Sequence, residues 1–89
     1  TQARTISFST DDLAIMLTVT PSGSDTARID GWLTWGGAHL TLTVSDGVPR
    51  EGTADPDGRF VFDDVPRGQT SLLVRGENAR PVVTPGFTI

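Results

Sequence analysis

The sequence predicts an all-β sandwich of seven to eight strands, and three observations predict it. Apolar residues recur with a period of two, not 3.6. Turn-forming clusters punctuate the chain roughly every 8–12 residues. The extended runs carry Thr, Val, Ile and Phe on alternating faces, the composition that suits a half-buried pleated surface.

Taken in order, Ile6 and Phe8 alternate with Thr5, Ser7 and Ser9 in the first run. In the second, Leu13, Ile15, Leu17 and Val19 point one way and Ala14, Met16, Thr18 and Thr20 the other. Only "STDDLAIML" competes as a helix, with Ser9 or Thr10 placed as an N-cap. The strict alternation from 13 to 19 assigns it to a strand. In "ARIDGWLTW", Ala27, Ile29, Leu33 and Trp35 share one face, while Arg28, Asp30, Trp32 and Thr34 share the other. Leu40, Leu42 and Val44 alternate with Thr41, Thr43 and Ser45. Phe60 and Phe62 define the next inner face, and Leu72 and Val74 the one after, with Leu73 outward. In "RPVVTPGFTI", Pro85–Gly86 splits two short apolar pieces, which predicts a bulge or kink at an edge.

The chain has 89 residues, enough for one domain, residues 1–89. A domain this size buries about 60–65 % of its unfolded surface, so its core is modest. With no initiator Met at Thr1, it reads as a module of a larger protein. No apolar run is long enough to span a bilayer. The net charge of −4 and the scattered arginines disfavour nucleic acid and membrane as partners. There is no cysteine, which excludes disulfides, thiolate metal sites and thiol nucleophiles. A small domain without staples fits the cytoplasm slightly better than a secreted setting, though composition leaves the compartment open.

The stretch richest in chemistry-bearing groups is "DPDGRFVFDDVPRG", residues 55–68. As a calcium loop it fails: counted from Asp55, Asp57 falls at the third place, but Gly58 falls at the fourth, Arg59 at the fifth and Pro66 at the twelfth. As an acid–base pair it also fails, because Asp63 and Asp64 are adjacent and point to opposite faces of a strand. The conformational reading accounts for every residue. Pro56 presets φ for a type I turn, Asp55 caps it, and Gly58 takes the left-handed conformation that rejoins the strand. Asp63 and Asp64 end that strand, Val65 returns to the core, and Pro66 and Gly68 form the next turn. His39, the only histidine, has no serine elbow and no carboxylate pair at metal-site spacing. The expectation is therefore no catalytic residue, no cofactor and no metal.

"DPDGRFVFDDVPRGQTSLLV", residues 55–74, resembles the D-x-x-G-x-F-x-F-x-x-V-P-x-G-x-(Y/T)-x-L-x-V signature of carboxypeptidase regulatory-like domains. These are relatives of prealbumin-like and collagen-adhesin B-type sandwiches. Upstream, Gly31, Trp32, Leu33 and the run Leu40–Val44 sit where such domains place an opening glycine and two strands, without the proline usual there. "ISFSTDDLAIMLTV" resembles the extra N-terminal strands of some bacterial relatives encoded beside regulatory proteins. The resemblance implies a Greek-key sandwich, prealbumin-like or immunoglobulin-like, serving as an accessory module without catalytic residues. The Lys–Asn cross-link of some adhesin relatives is ruled out by the absence of lysine.

The two tryptophans remain. A regular strand places Trp35 in the core and Trp32 in water, between Arg28 and Asp30 on one side and Thr34 on the other. A bulge at Gly31 would instead shift the register and bury both. An exposed Trp flanked by charge suits a protein hot spot or the face of a sugar ring. The candidate interaction surface is Met16, Arg28, Asp30, Trp32 and Leu73, which form one patch only if their strands share a sheet. The function expected is a non-catalytic protein-interaction module; the alternative is a carbohydrate-binding module using Trp32.

Overall fold

In the computed structural model, which describes residues 3–45, 47–77 and 79–89, the extended runs form nine strands, with no helix among the described residues. They are β1 (Arg4–Ser9), β2 (Ala14–Pro21), β3 (Thr26–Leu33), β4 (His39–Val44), β5 (Arg50–Thr53), β6 (Arg59–Pro66), β7 (Gln69–Arg75), β8 (Val82–Val83) and β9 (Phe87–Thr88). The number exceeds the expected seven to eight because Thr84–Gly86 divides the C-terminal run into two short strands, both paired with β7. The first sheet has the order β1-β2-β3-β6 and the second β5-β4-β7-β8, with β9 also on β7. Every neighbouring pair is antiparallel. The chain changes sheet between β3 and β4, between β5 and β6, and between β6 and β7.

The period-two reading places the core. Leu13, Ile15, Leu17 and Val19 are buried with Ala27, Ile29 and Leu33 from the first sheet. Leu40, Leu42, Val44, Leu72 and Val74 meet them from the second. Each such Leu, Ile or Val side chain stabilises the fold by roughly 1.5–3 kcal/mol relative to exposure. Gly31 also faces inward, and Phe60 occupies the space its missing side chain leaves: a Cβ there would lie 2.1 Å from the ring. Phe60 and Phe62 meet edge to face at 6.1 Å between centroids.

The helix-like start at Ser9–Thr10 is a tight turn. The Thr10 hydroxyl accepts from the Asp12 and Leu13 amides at 3.2 and 3.1 Å, and the Thr10 amide donates to the Leu13 carbonyl at 2.8 Å. Capping chemistry is present, but the alternation after it commits the chain to β2.

The aspartate-rich turn forms as its residues dictate. One Asp55 carboxylate oxygen accepts from the amides of Asp57 and Arg59 at 2.9 and 2.8 Å. Gly58 has φ +90°, and a Cβ there would stand 1.9 Å from the Leu33 carbonyl oxygen. The carboxylate is thus occupied in holding the turn.

Two local expectations need correction. The bulge does not fall at Gly31. It lies where Arg28 opposes two residues, Asp63 and Asp64, between the pairs Ala27–Val65 and Ile29–Phe62. Nor do those aspartates end the strand, since β6 continues through them to Pro66. Asp64 takes φ +51°, a left-handed conformation that Asp tolerates better than most residues. The extra residue lets both aspartates face solvent while Val65 returns fully to the core.

Candidate functional site

Because the bulge lies beyond it, the register from Ile29 to Trp32 stays regular, and Trp32 faces outward from the first sheet. It is 43 % exposed. Antiparallel pairing sets Met16 of β2 directly beside it and Arg59 of β6 on its other side. Ser7 of β1 extends the same row beyond Met16. The next row reads Thr5, Thr18, Asp30 and Val61. Met16, Thr18, Asp30, Gly31, Trp32 and Arg59 line a shallow, open depression of about 200 Å³. Met16 and Val61 are about half exposed as well, at 49 % and 47 %.

Arg28 borders this face. Its guanidinium donates to both carboxylate oxygens of Asp30 at 3.2 Å and lies 3.7 Å from an Asp63 carboxylate oxygen. The hydrogen bond to Asp30, and then its charge, hold Arg28 in its protonated form beyond the usual value. All three groups are solvent-exposed to a similar degree, so the pairing orders the rim and adds little to stability.

Of the five sequence-predicted surface residues, Met16, Arg28, Asp30 and Trp32 come together. Leu73 does not. Its strand, β7, belongs to the second sheet, where Leu73 is half-buried between Thr41 and Val83 on the opposite outer face. Sequence reasoning missed Thr18, Arg59 and Val61. Their outward parity was readable, because Arg59 and Val61 alternate with Phe60 and Phe62; the pairing of β6 with β3 was not.

Trp35 stands apart from this face. It follows β3, packs against the core, and its indole Nε1 donates to the Asp12 carbonyl at 2.9 Å. Its polar handle is consumed internally.

On the second sheet, the outer face holds a different arrangement. The His39 imidazole and the Thr41 hydroxyl, at 3.1 Å, both hydrogen-bond one Glu51 carboxylate oxygen. The bond to His39 holds the Glu51 carboxyl below its usual value; desolvation opposes it, and Thr41 and the charges of His39 and Arg75 add smaller lowering effects. This joins β4 to β5 and offers one histidine and one carboxylate. Among the described residues no three His, Asp or Glu side chains gather closely enough to hold a metal ion.

The first outer face offers an aromatic plane, a thioether and two charges of opposite sign side by side. Compared with models of protein families, with curated proteins and with solved structures, the chain shows no match.

Proposed function

We propose that this chain is a non-catalytic accessory module, part of a larger bacterial protein, that docks a protein partner on the outer face of its first sheet. The signature-like run at 55–74 supports kinship with carboxypeptidase regulatory-like domains, in which such modules assist rather than catalyse. The observation that carries the reading is the cross-strand pair Met16–Trp32. Both side chains are large, apolar and about half exposed, and the Trp32 indole is engaged in no hydrogen bond among the described residues, in contrast to Trp35. Aromatic residues on rigid elements are the usual anchors of protein interfaces. Arg59 and Asp30 beside the pair favour a partner presenting an apolar group flanked by opposite charges.

One observation favours a second reading, in which a sugar stacks on Trp32: the same depression sets Asp30 and Arg59 as hydrogen-bonding groups around the indole. Acrylamide quenching is expected to reach one tryptophan and spare the other, with Trp32→Ser removing the accessible signal. A partner retained by the wild-type module is expected to weaken by about thirtyfold or more with Trp32→Ser, the loss of one hot spot. Leu73→Ser, on the other sheet, should leave it bound. Retention unaffected by Trp32→Ser would overturn the assignment, and Trp32-dependent binding on a glycan array in place of a protein would decide for the sugar.

A further inference from the structure

A sandwich with open edges exposes unpaired backbone groups, and proteins guard such edges with prolines, charges, bulges or short strands. Three sides of this molecule are guarded. β6 carries the Asp63–Asp64 bulge and ends in Pro66, and Arg50 donates to the Asp63 carbonyl at 2.6 Å while covering the Phe62 ring. β5 is four residues long and charged at Arg50 and Glu51. β8 and β9 have two residues each, flanked by Pro81, Pro85 and Gly86.

β1 is the exception. It is six residues long, occupies the end of the first sheet, and has no proline, bulge or lysine. Only Arg4 is charged, and its guanidinium donates to the Thr88 carbonyl, which leaves Thr5–Ser9 as a neutral, β-prone edge. Ile6 and Phe8 are half-buried on its inner face, packed against a core that stays open beside them. There Phe8, Leu13, Ile15, Val82 and Pro85 line an apolar cavity of about 110 Å³.

We infer that β1 pairs antiparallel with β1 of a second copy of this chain, joining two four-stranded sheets into one. The occupant is chosen by self-complementarity. With the two-fold axis at Ser7, Ile6 of each copy stands opposite Phe8 of the other, on the face that opens to the cavity. Arg4 of each copy then lies alongside the end that carries Asp11 and Asp12 in the other, so opposite charges approach. Parallel pairing would set like against like. The inference is independent of the Trp32 reading, which uses the outer face and not the edge.

Ser7 tests it, because its side chain is exposed and would face its own copy across the axis. Sedimentation equilibrium of the wild-type chain should show a dimer at or below about 1 mM, the weak end of specific association. Ser7→Lys and Ser7→Glu alone should each raise the concentration needed for dimerisation about tenfold or more, since like charges meet at contact distance. Mixing the two variants should restore a dimer containing one of each, which shows that both fold. Trp32→Ser should leave dimerisation unchanged. A wild-type chain that stays monomeric throughout, variants that dimerise as the wild type does, or a mixture that stays monomeric would each overturn the inference.

Discussion

The two sheets rely on side-chain hydrogen bonds to different extents. In the second sheet, polar side chains complete a ladder that the backbone leaves unfinished. Where β8 stops, the Thr84 amide donates to the Leu72 carbonyl at 2.9 Å, and the Thr84 hydroxyl accepts from the Leu72 amide at 3.0 Å. The Thr88 hydroxyl donates to the Gln69 side chain at 2.8 Å, and Glu51 gathers His39 and Thr41. In the first sheet the same device appears at the end of the β2–β3 ladder, where the Thr34 amide donates to the Ala14 carbonyl and the Thr34 hydroxyl accepts from the Ala14 amide, both at 3.1 Å, while Met16, Trp32 and Val61 face water without such a bond. The difference separates side chains that hold the fold from those free to meet something else.

The contrast breaks most visibly at Thr84. Thr84→Val keeps the shape and removes the acceptor, so the buried Leu72 amide is left unpaired. A loss of about 1–3 kcal/mol is expected in urea unfolding. If the loss is negligible, side chains do not complete the second sheet, and the comparison fails there.

A smaller effect is expected on the first sheet. Trp32→Ser, which removes the proposed anchor, should cost only about 0.2–1 kcal/mol of stability, the worth of one cross-strand pair. Its binding loss would then stand apart from any unfolding. A much larger loss would make Trp32 a structural residue like those of the second sheet.

The smallest effect concerns Glu51. Its carboxyl titrates below the usual value in the folded chain, so its contribution is present above the unfolded value and disappears as pH falls through the folded one. The wild type should exceed Glu51→Gln in thermal midpoint near neutral pH, and the gap should close on acidification below the carboxylate range. A gap that persists or widens in acid would assign Glu51 no such role.

The strand faces were legible because their cause is local. Alternation puts Leu17, Leu42 and Val74 inside wherever the strands happen to lie. The Asp55–Gly58 turn was legible for the same reason, since its hydrogen bonds close within five residues, Asp55 to Arg59. The bulge was not. Nothing in "FDDVP" says that Asp63 and Asp64 will together oppose Arg28, because that depends on how β6 aligns with β3.

Four of the five candidate surface residues share one face because β2 and β3 are joined by a short connection and pair directly. Leu73 was misplaced and Arg59 and Val61 were missed for one reason: each lies on a strand that reaches its neighbours after the chain has changed sheets. The sequence by itself determined which side chains point in or out and where the chain turns, since those follow from backbone geometry over a few residues. Only the tertiary structure decided which outward residues share a face and which edge stays bare, because both depend on pairings between strands distant in the chain.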